Sequence, residues 1–344
     1  MGIQKTNLNN EKIKKIMKDI YGISVTDIKN IDRGTANIFK ITDKNKEYIL
    51  KEFSEGRSKE SVIKETNIIN FLNKKGVKVP TYVETKNGKY YTEENNRIII
   101  LQEYIDGYTM ENNTGDYKKT IESATILGKM TKALEDYKKL PDDGIIEKWY
   151  SKGSLEKGIV KINDLTEKIN NDNPYKEIFI KDMQDKLKMT KYILKEFDFN
   201  IINNLTIMNS HGDYSVQQLI YNDKKGTTVI DFETAKSLPI IWEVMRSYSY
   251  IDKEAKDGNL NIDTLINYVK EFSKYVKLNK YDLKYAGWLY LIQIVGSTFG
   301  YKQYNDDYSK TGLLEFALFR TKLCRYLYNN AEKIGDRLLA EINN

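Results

Sequence analysis

One cysteine and one histidine in 344 residues remove several chemistries at the outset. Cys324 has no second cysteine to join, which excludes an intramolecular disulfide framework and points to a reducing compartment, the cytoplasm. His211 stands alone as well, so a histidine metal cluster is excluded and no Ser-His-Asp relay can be built without this one ring. Prolines number four, and neither a repeat nor a low-complexity linker interrupts the chain. The longest apolar stretch, 287–300, contains Gln293, Ser297 and Thr298 and is too short to span a bilayer, so no membrane partner is expected. Net charge is only +6, the lysines are spread rather than clustered, and no recognised nucleic-acid motif accompanies them. Nucleic acid is therefore not expected as a partner.

What the chain does have is an ordered set of carboxylates. His211-Gly212-Asp213 is followed five residues after the Asp by Gln218 and eighteen after it by Asp231, in Val229-Ile230-Asp231-Phe232-Glu233. Leu219-Ile220-Tyr221 reads as one strand, 222–226 as a turn and 227–230 as the return strand, which brings the two ends of the hairpin together. Phosphoryl transfer asks for this kind of set: a carboxylate to hold the attacking hydroxyl, and a second carboxylate plus an amide to hold magnesium. His211 is expected to pack under the loop and fix its backbone.

Upstream, 28–31, 38–42 and 48–53 read as three strands, and Lys51 lies late on the third, where a lysine facing nucleotide phosphates belongs. Arg33-Gly34-Thr35-Ala36-Asn37 makes a turn that falls short of a glycine-rich phosphate loop. A helix over 59–75 follows, stopping at Gly76 before Pro80. Glu65 on it is the candidate ion-pair partner of Lys51, preferred to Glu60 because it precedes the apolar Ile68, Ile69, Phe71 and Leu72. A hairpin is expected at 82–92, then a buried strand from Arg97 running into a break at 105–107. That break suits a hinge whose Glu103 and Ile105 backbone groups read adenine, although the same apolar run fits ordinary core.

Taken in order, Arg33–Asn37, Lys51, Glu65 with Gly76-Val77-Lys78-Val79-Pro80, Gln102–Gly107, His211-Gly212-Asp213 and Ile230–Glu233 resemble the aminoglycoside phosphotransferase and choline kinase superfamily over about residues 25–330. The resemblance implies an α+β, bilobal protein-kinase-like fold. Residues 1–105 would form a small antiparallel-sheet N-lobe with one helix, and 106–344 a larger, mostly helical C-lobe. It further implies transfer of the γ-phosphate of ATP or GTP, with Mg, to a hydroxyl of a small molecule. Asp213 would be the catalytic base, Asp231 and Gln218 the metal ligands, Lys51 the phosphate clamp and Glu65 its orienting partner. Three positions depart from the family pattern. Gln218 stands where asparagine is usual, Met130-Thr131 where a leucine-histidine pair is common, and Glu243 is the candidate for a downstream aspartate. These departures support an alternative, a kinase-fold binding or spore-coat-type protein with weak or no transfer activity.

The remainder reads as helices over 118–140, 177–197, 242–250, 262–276, 280–298 and 313–339, with 141–176 irregular and polar. For the acceptor, Asp306, Asp307 and Glu315 would suit a polycation, while Tyr301, Tyr304 and Tyr308 would suit a quaternary ammonium. Aminoglycoside, choline-like, amino-alcohol and sugar acceptors all remain open at this level.

Overall fold

The structure is a computed structural model that describes residues 6, 8–31 and 36–342. In chain order the elements are α1 (Asn10–Ile16), β1 (Asp27–Ile31), β2 (Asn37–Thr42), β3 (Glu47–Glu52), α2 (Lys59–Lys74), β4 (Thr92–Glu94), β5 (Arg97–Glu103) and α3 (Tyr117–Leu134). They continue with α4 (Ile145–Tyr150), α5 (Lys152–Glu167), α6 (Lys176–Glu196), β6 (Ile207–Ser210), β7 (Leu219–Ile220), β8 (Thr228–Val229) and β9 (Lys236–Pro239). Five helices end the chain: α7 (Ile240–Ile251), α8 (Ile262–Ser273), α9 (Lys280–Val295), α10 (Tyr301–Asp306) and α11 (Thr311–Ile342). Two compact units result, one of Met1–Thr109 with Gln218–Ala235, the other of Met110–Gln217 with Lys236–Asn344. A split by sequence position at residue 105 would leave the β7–β8 hairpin in the second unit. Its contacts put it in the first.

The first unit is built on a five-stranded antiparallel sheet in the order β1-β2-β3-β5-β4. Alternate residues Phe39, Ile41, Tyr48, Leu50, Ile99 and Leu101 form one core with Ile13 and Ile16 of α1. Full burial of such a side chain is worth about 1.5–3 kcal/mol. Because strand side chains alternate, Lys51 lies on the face opposite Leu50, away from α1. Helix α2 starts at Ser58, whose hydroxyl accepts the Ser61 N–H at 3.1 Å, and stops where Gly76 takes φ +77°.

The expected hairpin at 82–92 does not form. Tyr82 makes only an isolated bridge to Gln102, and Thr85 closes a tight turn by donating its N–H to the Lys89 carbonyl at 2.7 Å. The hairpin lies instead between β4 and β5, where Asn95 and Asn96 both take positive φ, 50° and 61°. Asparagine tolerates that region, so two in succession make a tight hairpin turn without glycine. Residues 32–35, most of the expected phosphate turn, lie outside the described residues.

The second unit is helical except for the short β6–β9 pair. The 141–176 segment, expected to be irregular, holds α4 and α5: Leu155, Gly158, Ile162 and Leu165 make a buried stripe at helical spacing, hidden by the surrounding lysines. Helix α9 is buried nearly all round, and α11 lies against it. Their approach is close enough that a Cβ on Gly335 would stand 2.0 Å from the Lys284 carbonyl oxygen, and one on Gly287 2.9 Å from Ala331 Cα. Cys324 is a buried free thiol. No helix among the described residues is long and apolar enough to cross a membrane.

Gly335→Ala should lower the melting temperature and cost about 1–3 kcal/mol, because the atom it meets is backbone and cannot rotate away. A melting temperature equal to that of the parent chain would show that α9 and α11 have room to separate.

Candidate active site

Asp213 and its loop belong to the second unit, and two side chains of α7 hold them. Glu243, with no exposed surface, accepts the Tyr214 N–H at 2.9 Å through one carboxylate oxygen and the Ser210 hydroxyl through the other. One turn later on the same helix, Arg246 donates to the Tyr214 carbonyl at 2.8 Å and forms an ion pair with Asp213. Burial disfavours the charged guanidinium, and the neighbouring Asp213 carboxylate helps to outweigh it, leaving the Arg246 pKa above its ordinary value. The Asp213 side chain keeps 42% of its surface exposed, so a carboxylate is presented to solvent from a fixed base. Tyr214 anchors the loop from below, its hydroxyl donating to the Ser123 carbonyl of α3 at 3.0 Å. His211 is fully buried with its ring edge-on to Tyr214, in keeping with a packing role.

In the first unit the short hairpin forms as expected, with Leu219 opposite Val229 and Ile220 opposite Thr228. The Ile230 N–H donates to the Gln218 carbonyl at 2.9 Å, which sets Gln218 and Asp231 side by side at the open end. Asp231 is exposed and takes φ +69°, a left-handed conformation uncommon outside glycine. Phe232 behind it is fully buried. Gln218 and Asp231 offer a carboxamide and a carboxylate, hard oxygen donors of the kind magnesium takes. Among the described residues there is no group of three or more Asp, Glu, His or Cys able to hold a metal. Magnesium at this pair would therefore draw further ligands from water and phosphate, which is its ordinary habit.

Lys51 sits on β3 opposite Ile38 and Ile100, half-buried. The expected Lys51–Glu65 ion pair is absent among the described residues. Glu65, buried at 4% exposure, pairs instead with Arg57 at 3.4 Å and accepts the Tyr82 hydroxyl at 3.1 Å. Arg57 also pairs with Glu233, two residues after Asp231, and Lys64 donates to the Glu233 and Ala235 carbonyls, each at 3.1 Å. Helix α2 is thus stapled to the loop that follows Asp231. Burial, and then the Glu65 carboxylate, push the Tyr82 hydroxyl well above its ordinary pKa, so it stays protonated and donating. Glu60, the weaker candidate, is exposed on α2.

At the end of β5, Glu103 donates its N–H to the Thr81 carbonyl and Tyr104 to the Glu47 carbonyl, each at 2.9 Å. The Ile105 N–H has no protein partner among the described residues. Tyr301 and Tyr304 are buried in a core with Phe179, and Tyr308 donates to Asp172, so these tyrosines do not build an aromatic cage. Asp307 pairs with Lys310 at 3.6 Å, whereas Asp306 lines a cavity. Sequence reasoning missed both arginines. Arg246 had a usable signal, its one-turn spacing from Glu243. Arg57 had none, lying between strand and helix in a run of charges.

The profile of the phosphotransferase enzyme family matches residues 27–268. Curated proteins give no match to the sequence. Among solved structures, a spectinomycin phosphotransferase in complex with ADP and spectinomycin is similar with a TM-score of 0.66 at 14% identity, covering 95% of this chain and 100% of that one. An aminoglycoside phosphotransferase from Alicyclobacillus acidocaldarius gives 0.68 at 14%, covering 97% and 98%. A choline kinase from Streptococcus pneumoniae gives 0.52 at 16%, covering 92% and 99%. At these identities the likeness establishes the fold, α+β and protein-kinase-like. The family match spans well over half of the residues, and on that ground the chain belongs to the phosphotransferase enzyme family.

Proposed function

We propose that this protein is a kinase that moves the γ-phosphoryl group of ATP or GTP, with magnesium, to a hydroxyl of a small molecule. The observation that carries the reading is the hairpin mouth, where the Ile230–Gln218 backbone hydrogen bond sets Gln218 beside Asp231, Gln218 itself standing five residues after Asp213, the carboxylate held by Arg246. Relatives of the same fold have been solved with ADP and with AMP.

In this reading Asp213 accepts the proton of the acceptor hydroxyl as its oxygen bonds to the γ-phosphorus. The bond from that phosphorus to the β-phosphate oxygen breaks, and the nucleoside diphosphate leaves with the electron pair. Lys51 orients the α and β phosphates. Ile105 offers its N–H, and Glu103 its carbonyl, to the edge of the base. Asp231 and Gln218 would hold magnesium, which when bound neutralises phosphate charge. The acceptor is a small hydroxyl-bearing compound, and the compartment is the cytoplasm.

Asp213→Asn should lower the rate of acceptor phosphorylation about 10²–10⁴-fold, the usual scale of general-base assistance, while nucleotide binding survives. A coupled ADP assay beside a nucleotide titration reads both, and unchanged turnover would refute the assignment. Arg57 is assigned a positioning role, acting through Glu65 and Glu233. Arg57→Ala should cost roughly 10–100-fold in kcat, the scale seen for residues that orient metal ligands, and Arg57→Lys should recover part of it. Equal kcat in all three proteins removes that role.

Pairing of Glu65 with Arg57, and not with Lys51, favours one competing reading, a kinase-fold binding or spore-coat-type protein with weak or no transfer activity. Thermal-shift titration separates the two. The kinase reading expects ATP to raise the melting temperature further when magnesium is present, and Asp231→Asn to remove that increment. Stabilisation indifferent to magnesium would favour the competitor.

A further inference from the structure

Within the second unit lies a cavity of about 530 Å³, the size of a small-molecule site. One wall comes from α4 and α5, the other from the end of α9, the loop after it and α10. Between the walls Gly158 and Gly296 meet so closely that a Cβ on the first would stand 3.0 Å from the second's Cα.

Two chains of side-chain contacts run from the lining of this cavity to Arg246, the partner of Asp213. Trp149 in the lining has its ring 4.3 Å from that of Trp242, and the Arg246 guanidinium that pairs with Asp213 lies 5.9 Å over Trp242. Gln293 in the lining lies one turn along α9 from Tyr290, whose hydroxyl is 3.1 Å from that of Ser249, and the Ser249 hydroxyl donates to the Arg246 carbonyl at 2.8 Å. Trp242 itself is 4% exposed, and its indole N–H has no partner among the described residues. That group is a donor only, so it lacks an acceptor oxygen.

The lining has a sign. Its lysines are Lys148, Lys161, Lys168 and Lys302, and its carboxylates only Asp164 and Asp306. Lys161 on α5 and Lys168, the residue that ends it, stand seven residues apart, and with Lys302 they form no ion pair among the described residues. Lys148 is occupied by the Asp143 carbonyl at 2.5 Å. Two carboxylates do not cancel four ammonium groups, and a concave wall concentrates the excess field. Several amines on one ligand would enter against that field. A negative group would enter along it.

We infer that the acceptor phosphorylated by this protein is a hydroxyl compound bearing an anionic group, a carboxylate or a phosphate, seated against Trp149 and the lysines of this cavity. The inference rests on the kinase reading above and adds the acceptor's charge. Its test is ADP formation from ATP with matched acceptors that differ only in charge: hexuronic acids and hexose phosphates, the neutral hexoses, and the amino sugars. Uronic acids against hexose phosphates then decide which anion is taken. The anionic members should exceed the neutral ones in kcat/KM by at least 10-fold and the amines by at least 100-fold, with the margin shrinking as salt rises. Lys161→Ala with Lys302→Ala should raise KM for the preferred anion at least 10-fold at an unchanged melting temperature. Preference for amines, or an anion preference that survives the double variant, overturns the inference while leaving the kinase reading intact. Should no member of the panel be phosphorylated, the same compounds are titrated against the tryptophan fluorescence. Saturable quenching by anions that the double variant abolishes upholds the site, and its absence overturns it. Failure of the kinase reading shows separately, as nucleotide binding indifferent to magnesium.

Discussion

Glu243 and Arg246, one turn apart on α7, hold the Asp213 loop, on which the proposed chemistry rests. A carboxylate with no exposed surface is stable only when its lone pairs are used, and both Glu243 oxygens are used on the loop, at the Tyr214 N–H and the Ser210 hydroxyl. Arg246 adds the opposite charge and binds the Tyr214 carbonyl together with the Asp213 carboxylate. Backbone and side chain of the loop are therefore tied to one rigid helix, so Asp213 does not move independently of Tyr214. Catalysis by positioning needs this arrangement more than it needs any unusual acid strength.

The first unit solves a similar problem by other means. Asp231 takes a left-handed backbone conformation, a state that costs roughly 1–3 kcal/mol and persists only where the surroundings over-determine it. On one side the Ile230–Gln218 hydrogen bond closes the hairpin, and on the other Lys64 and Arg57 of the α2 region bind the Glu233 and Ala235 segment. Arg57 reaches Glu65 at the same time. Any rotation of α2 is thereby felt at Glu233, two residues after Asp231.

How far the sequence reveals this can be judged residue by residue. Strands β1–β3 and helix α2 were legible because alternation and a clean cap-to-glycine helix leave little choice. The hairpin of Gln218 and Asp231 was legible because the turn residues 222–226 interrupt two short apolar runs. The hairpin at Asn95-Asn96 was not, since neither residue is glycine and the Tyr82–Thr92 segment carries stronger β-formers. Helices α4 and α5 were masked by lysines, whose long stems tolerate a helix surface yet dilute the apolar stripe. Partner choice was the hardest to read. Lys51 and Glu65 fit a known pairing, but a sequence does not disclose that Arg57, eight residues before the glutamate, lies nearer to it.

Gln218 is where these constraints would act on the proposed metal site. Its backbone is fixed by the bond from Ile230 and by the register of Leu219 with Val229, so the methylene separating it from asparagine is absorbed by the side chain alone. Magnesium accepts little deviation from octahedral geometry, and a longer, more rotatable arm would lose more freedom if it were held there. Asp231 across the hairpin has the shorter side chain, on a backbone held in the left-handed region. Both backbones are thus held at the hairpin mouth, and the extra methylene makes the glutamine the more adjustable side chain of the proposed pair.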